Sequence, residues 1–169
     1  MADTGEKPRK RRPLGGWKFI VAIVLILAYS AAATYGVMSD TSVRGLTVKM
    51  FDVSRYCTTQ SPSLRTLNYN VRGAMWSASS VHTSLSHITF SLSVDGLLIG
   101  TATQGDTSFG PGQSVPFNLT LTHPTLNPTM LPLSSKLVLS LGATVAAGLY
   151  SATGATSDST TQAFTSTGC

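Results

Sequence analysis

Charge is scarce in this chain, and acidic charge is scarcest. Only 11% of the 169 residues are charged, and Glu6 is the single glutamate. Glutamate and lysine favour helices, whereas Thr, Val, Ile and Phe favour strands. Because residues 39–169 hold no glutamate, few lysines and many Ser and Thr, we expect mainly β-structure there, with a surface that hydroxyl groups keep soluble.

Catalytic motifs are missing as well. The chain has no Gly-x-Ser-x-Gly, no phosphate-binding loop and no His-Glu-x-x-His. Asp95 and Asp106 could be taken for a carboxylate pair. However, they lie in a predicted turn and a predicted loop, where an aspartate is usually solvated or hydrogen-bonded to the local backbone. The histidines lack the spacing of metal ligands; they are His82, His87 and His123. We therefore expect no enzymatic activity, no catalytic residues, no metal site and no cofactor.

Cysteine is limited to Cys57 and Cys169. A disulfide between them would tie the C-terminus to an early strand, and closing so long a loop stabilises by up to about 4–5 kcal/mol in the entropy model. Unpaired thiols and an intermolecular bridge remain alternatives. Asn118-Leu119-Thr120 is a candidate N-glycosylation site.

One long uncharged run is present, from Phe19 to Met38. A helix of that length spans about 30 Å, the hydrocarbon thickness of a bilayer. Lysine and arginine are concentrated before it, at Lys7, Arg9, Lys10, Arg11, Arg12 and Lys18. The positive-inside rule therefore predicts a basic cytoplasmic tail at 1–18, a transmembrane helix at 19–38 and an extracytoplasmic domain at 39–169.

A cleaved signal peptide is the main rival interpretation of this run. Its apolar core would be shorter, about 7–15 residues, and would end in a small-residue motif. Tyr29-Ser30-Ala31 and Ala31-Ala32-Ala33 offer such motifs. The full length of the run favours a retained anchor, and the basic cluster before it disfavours a buried helix of a soluble protein.

The net charge of +5 is mostly local to the tail. Residues 1–18 contribute +4 and the remaining chain +1. The basic balance therefore gives no reason to expect a nucleic-acid partner. The tail could attract anionic lipid or act only as a topology signal, and residues 19–38 would contact membrane lipid.

Alternation of apolar and polar residues predicts strands through the first part of the domain. Asp95-Gly96 is typical of a hairpin turn, and Pro116 favours a strand start or an edge strand. The predicted strands cover residues 43–57, 64–76, 88–94, 97–102 and 115–121.

The last third of the chain shows a different spacing of apolar residues. Leu126, Met130, Leu133 and Leu137 recur at helical spacing, so we expect a short helix between Pro132 and Gly142. Two strands would follow, at 144–150 and 160–165, joined by a turn at 154–158. The fold class predicted is a single transmembrane helix followed by an antiparallel β-sandwich with one short helix.

The block from Phe90 to Leu121 resembles the late embryogenesis abundant type 2 family, also called the water-stress and hypersensitive-response domain. It has the alternating strand, the Asp95-Gly96 turn, Ile99-Gly100 on the return strand, and a glycine-bearing loop at Gly110–Gly112. It departs from the family in lacking Asn-Pro before the central hairpin. The resemblance implies an immunoglobulin-like β-sandwich, often membrane-anchored, without catalytic residues or cofactor, and with a stress-related or membrane-proximal role.

Three functions fit these observations. The favoured one is a non-enzymatic, membrane-anchored extracytoplasmic domain with a binding, protective or stress-related role at the cell surface. The second is a pilin-like structural subunit, with Arg12 to Gly16 as a processing site. The third is an accessory subunit of a membrane complex, whose protein partners would contact the β-domain or the small residues of the helix; those residues are Ala28, Ser30, Ala31, Ala32, Ala33 and Gly36.

Overall fold

A long helix, α1, runs from Gly16 to Arg44 in the computed structural model, which describes residues 16–61, 64–125 and 133–164. The helix extends the predicted run 19–38 at both ends. It is long and apolar enough to cross a bilayer, and nothing in its most apolar window is buried. The chain divides into two compact units, one ending at Tyr35 and the other beginning at Gly36.

Polar side chains within the apolar run bond to the helix backbone. The Ser30 hydroxyl donates to the Leu27 carbonyl oxygen at 3.0 Å, and the Thr34 hydroxyl donates to the Ser30 carbonyl oxygen at 2.8 Å. A hydroxyl satisfied in this way needs no partner from the surroundings.

Beyond α1 the chain forms two antiparallel sheets that pack together as a β-sandwich. The first has the order β1-β2-β6, and the second has the order β4-β3-β7-β8, with β5 also paired to β3. The strands are β1 Leu46–Ser61, β2 Leu64–Ser77, β3 Thr83–Val94, β4 Leu97–Gln104, β5 Thr107–Phe109, β6 Ser114–Thr125, β7 Ser134–Ala147 and β8 Tyr150–Ala163.

The connections follow the immunoglobulin-like pattern. The hairpin β1–β2 starts one sheet, and β3, β7 and β8 are neighbours in the other, as strands C, F and G are in that fold. Strand β6 returns to pair with β2, so the chain crosses between the sheets repeatedly. The predicted β-sandwich is therefore confirmed.

The core lies between the two sheets and consists of the alternating apolar residues. Alternating apolar residues are buried on each of the first three long strands and on β6, where Val115 is only partly buried. The buried positions are Leu46, Val48, Met50, Val53, Leu67, Tyr69, Val71, Met75, Ile88, Phe90, Leu92, Val94, Phe117, Leu119 and Leu121.

The predicted hairpin between β3 and β4 is also confirmed. Asp95 and Gly96 have φ angles of 50° and 85°, the pair of positive values that a type I′ turn requires. Pro116 lies in β6, which is an edge of the first sheet as predicted.

The short helix predicted between Pro132 and Gly142 is wrong. Residues 134–147 form β7, in the second sheet between β3 and β8. Leu137, Leu139 and Leu141 are fully buried on one face, so their period of two outweighs the helical spacing that includes Leu126 and Met130. Those last two residues lie outside the described part of the chain.

The final hairpin turn was also misplaced. It lies at Gly148 and Leu149, between β7 and β8, and Gly148 has a φ of 59°. The predicted turn at 154–158 is instead inside β8, and the predicted loop after Cys57 is strand as far as Ser61.

One carboxylate links the edges of the two sheets. Asp158 of β8 accepts a hydrogen bond at 2.8 Å from the backbone N–H of Met50 in β1. At that point a bulge places Phe51 outside the regular pairing with β2. Bulges and inward-pointing charges at sheet edges disfavour pairing with another chain.

Candidate functional site

The end of α1 is built into the β-domain. Ser39 and Ser42 are fully buried and Val43 is 8% exposed, although the preceding turns of the helix are exposed. Serine is small, so its burial allows the helix backbone to approach the strands closely. Residues 36–44 therefore belong to the folded domain, as the division of the chain at Gly36 also indicates.

Hydrogen bonds connect this helix end to the segment that follows β2. The Ser77 hydroxyl donates to the Ser42 carbonyl oxygen at 2.7 Å, and the hydroxyls of Ser42 and Ser79 are in contact. The Ser79 hydroxyl also accepts from the Val81 N–H at 2.9 Å. A buried polar network that is paired in this way fixes the position of its members.

Two backbone bonds complete the junction. The Gly45 N–H donates to the Thr41 carbonyl oxygen at 2.9 Å, and the Ala78 N–H donates to the Gly45 carbonyl oxygen at 3.3 Å. The Gly45 position also lies close to Ala78, since a Cβ there would be 3.5 Å from the Ala78 side chain. The helix therefore ends with its last carbonyl groups bonded to the domain and not to solvent alone.

A shallow cleft of about 460 Å³ opens beside this junction. It is lined by the end of α1, the start of β1 and the first residues of β8, including Asp40, Arg44, Leu46 and Gly154. Asp40 and Arg44 form a salt bridge of 3.0 Å, with side chains 48% and 79% exposed. An exposed pair of this kind contributes about 0–1 kcal/mol to stability, and it provides no nucleophile.

A second polar region covers the outer face of the β1-β2-β6 sheet. Asn68 and Asn70 lie on β2, and the exposed hydroxyl residues Thr120 and Thr122 lie beside them on β6. Asn68 donates to the Thr58 hydroxyl at 3.0 Å, whereas the buried Oδ1 of Asn70 has no partner among the described residues. The groups that this outer face presents to solvent are therefore the hydroxyls of Thr120 and Thr122.

The predicted disulfide residues are only partly described. Cys57 lies on β1 and is half-buried against the core. Cys169 lies outside the described residues, so the pairing stays a prediction. Asn118 is exposed on β6, opposite Arg72, and its glycosylation also stays a prediction.

The two aspartates that resembled a carboxylate pair have separate surroundings. Asp95 accepts a hydrogen bond at 2.8 Å from the Lys136 N–H, and its own N–H donates to the Lys136 carbonyl oxygen at 2.8 Å. Asp106 is exposed between β4 and β5. Asp95 therefore extends the pairing of β3 with β7.

The histidines and Trp76 take structural positions. His82 is exposed before β3, His123 is half-buried on β6, and His87 has a φ of 52° at a bulge in β3. Trp76 is half-buried at the end of β2, at the rim of the core. Within the described ranges no group of three His, Cys, Asp or Glu side chains is placed to hold a metal ion.

The glycine-bearing loop before β6 is a turn. The Gln113 N–H donates to the Gly110 carbonyl oxygen at 3.1 Å, and the Gln113 side chain accepts from the Gly110 N–H at 2.9 Å. Gly112 has a φ of 69°, as the third residue of a type II turn requires. Turn geometry therefore accounts for both Gly110 and Gly112.

Sequence reasoning missed the serine junction. The predicted helix ends at Met38 and the predicted second strand ends at Trp76, and neither boundary indicates that the two segments meet. The contact depends on the tertiary fold, which brings the end of β2 to the end of α1. The clustering of small hydroxyl residues in both segments was the one available signal.

The sequence matches no protein-family model and no curated protein. Among solved structures, the crystal structure of a protein from Archaeoglobus fulgidus is similar over 69% of this chain and 98% of that one. The sequence identity is 10% and the TM-score is 0.36. We draw nothing about fold or function from so distant a likeness, and the family resemblance stays a prediction.

Proposed function

We propose that this protein is a non-enzymatic, membrane-anchored domain that presents a β-sandwich at the outer face of a membrane for binding or protection. The anchor is residues 19–38 of α1. The tail at 1–18 stays in the cytoplasm, because its lysines and arginines outnumber those that follow the helix. Residues 39–169 lie outside.

The observation that carries this proposal is the continuity of α1. The helix runs without interruption from its exposed apolar part to Ser39 and Ser42, which are buried in the β-domain. The end of the helix is bonded to Ser77 and Ser79. The first strand begins at Leu46, a few residues past the apolar run.

The outer face of the β1-β2-β6 sheet is the surface we assign to binding. Thr120 and Thr122 present exposed hydroxyl groups there, beside Asn70 and Asn68 of β2. The resemblance to the late embryogenesis abundant type 2 family supports a non-catalytic, membrane-proximal role of this kind. A stress-related role is proposed on that resemblance alone.

Carbonate extraction and protease accessibility test the anchor and its orientation. The full chain should stay with the membrane after a carbonate wash, and protease added outside intact cells should digest the β-domain. Recovery in the soluble fraction, or a domain that is protected in intact cells and digested only after lysis, would contradict the proposal.

Arginine substitutions in α1 and in the β3–β4 hairpin test whether α1 is the part of the chain that lies in the membrane. Leu25 and Leu27 are exposed on α1, and Leu97 and Leu98 are exposed on the β3–β4 hairpin. An arginine near the centre of a membrane helix costs about 2.5–3.5 kcal/mol on insertion scales. The double variant Leu25→Arg, Leu27→Arg should therefore lose membrane retention, and Leu97→Arg, Leu98→Arg should keep it.

Photo-crosslinking tests the assigned face. Thr122 on β6 and Thr101 on β4 are both exposed strand residues, but they lie on different sheets. A crosslinking residue at 122 should capture a partner in native membranes, and one at 101 should not. Capture from a position in α1 such as Ala32, with none from 122, would favour the accessory-subunit alternative.

A further inference from the structure

The turn between β7 and β8 exposes two large apolar side chains. Leu149 is 92% exposed and Tyr150 is 48% exposed. Leucine at the tip of a two-residue turn contributes nothing to the core between the sheets. A fully exposed leucine beside a half-exposed tyrosine is typical of a surface that contacts an apolar partner.

This turn lies beside the helix end. The Tyr150 ring packs against α1 at Gly36, where an added Cβ would lie 3.6 Å from the Tyr150 hydroxyl oxygen. Gly36 belongs to the apolar run that ends at Met38. Tyr150 is therefore level with a residue that we place at the membrane boundary.

The hairpin around this turn carries no charge. No Asp, Glu, Lys or Arg occurs from residue 142 to residue 157. Charged side chains are costly in the membrane, whereas tyrosine is favoured at the level of the headgroups. By contrast, the opposite end of the sandwich carries Asp95 next to Lys136.

We propose that Leu149 and Tyr150 form a second membrane contact, inserted among the headgroups and upper acyl chains of the leaflet that α1 leaves at residues 36–38. The inference rests on the proposed function, since it requires α1 to lie in a bilayer. The β-domain would then contact the membrane at two places, the helix and the turn.

Tryptophan quenching by brominated lipid tests this contact in the full chain. In both test proteins Trp17 and Trp76 are replaced by phenylalanine. One protein then carries Leu149→Trp and the other carries Leu98→Trp, so each has a single tryptophan. Each protein is reconstituted in phosphatidylcholine vesicles with acyl chains brominated near the headgroup. Leu98 is the matched control, because it is 54% exposed on the hairpin at the opposite end of the sandwich.

The Leu149→Trp protein should lose about half of its emission and shift to the blue, because an interfacial side chain lies about 5–10 Å into the headgroup and acyl boundary. The Leu98→Trp protein should keep its emission. Equal emission from the two proteins would overturn the inference. A blue shift at 149 without quenching would also overturn it, since it would mean that protein, such as a second copy of this chain, covers the turn.

A third protein separates this inference from the proposed function. The single variant Trp76→Phe keeps Trp17, at the N-terminal end of α1, as the reporter. Quenching of Trp17 without quenching at 149 would leave the anchor standing and reject only the second contact. Failure to quench Trp17 would reject both.

Discussion

Gly73 lies in β2 at a point where the neighbouring strands leave no space for a side chain. It is paired with Met50 of β1 and Phe117 of β6. A Cβ at this position would overlap the Lys49 carbonyl oxygen and the Phe117 ring. The pairing of β1 with β2 is irregular beside this glycine, between Met50 and Asp52.

Gly73→Ala should therefore lower the free energy of unfolding by about 1–3 kcal/mol, the usual cost of overpacking a core. Urea unfolding of the chain in mild detergent, followed by circular dichroism, measures the loss. Gly142→Ala is the control, because a Cβ at Gly142 of β7 would meet nothing within 4 Å. Equal losses in the two variants would show that the crowding around Gly73 is unimportant.

Tyr69 links stability to alkaline pH. Burial raises the pKa of Tyr69 above 10.0, against the opposing hydrogen bond and charge of Arg55. The folded protein therefore holds the phenol proton more tightly than the unfolded chain. The stability that this difference contributes is complete below about pH 10, and it is lost as the pH rises from there through the folded pKa.

Tyr69→Phe should weaken this pH dependence, because phenylalanine has no proton to lose. Unfolding in urea at about pH 9 and about pH 11 should show a smaller loss of stability for Tyr69→Phe than for the wild-type chain. Tyr56→Phe, which removes a half-exposed ring hydroxyl on β1, should keep the wild-type loss. If Tyr69→Phe lost as much stability as wild type, another group would control the alkaline transition.

At the scale of elements, β7 and β8 show where sequence patterns succeed and fail. Alternation at Leu137, Leu139 and Leu141 marks a strand with one buried face, and this period holds as far as Ala147. A helical spacing of leucines just before it gave the wrong assignment. Strand β8 shows no alternation of apolar and polar residues, because it is an edge strand of small polar residues. Gly154 within it led to the wrong prediction of a turn at 154–158.

Asp158 joins β8 to β1, the edge strand of the other sheet, through its bond to the Met50 N–H. Asp158→Ala should lower the free energy of unfolding by about 1–3 kcal/mol, because the N–H loses a charged acceptor. Asp158→Asn should recover part of that loss, since the amide oxygen can still accept. Thermal unfolding of both variants, beside Asp106→Ala as an exposed control, measures the difference.

Aggregation provides a second test of the hydrogen bond between Asp158 and Met50. Without Asp158, the facing edges of β1 and β8 are less protected against pairing with another chain. Asp158→Ala should therefore aggregate at a lower temperature than Asp106→Ala. If both alanine variants matched the wild type in unfolding and in aggregation, Asp158 would not join the sheets in solution.

At the scale of the whole molecule, the sequence predicted the division into an apolar helix and a β-sandwich. Hydropathy over residues 19–38 and alternation in β2, β3 and β6 were sufficient, because each depends on local periodicity. The junction was not predictable, because Ser42 meets Ser77 and Ser79 only through tertiary contacts. The exposed turn at Leu149 was missed for the same reason, since the last turn was placed at 154–158.

The central claim is that α1 is retained as the membrane anchor of the β-domain. The intact mass of the protein purified from native membranes tests it most directly, because it distinguishes an anchor from a removed leader. We predict a mass that includes the basic tail before Trp17 as well as residues 19–38. A protein that begins after Ala31 or Ala33, as signal-peptide cleavage would leave, or after Gly16, as pilin-type processing would leave, would contradict the account.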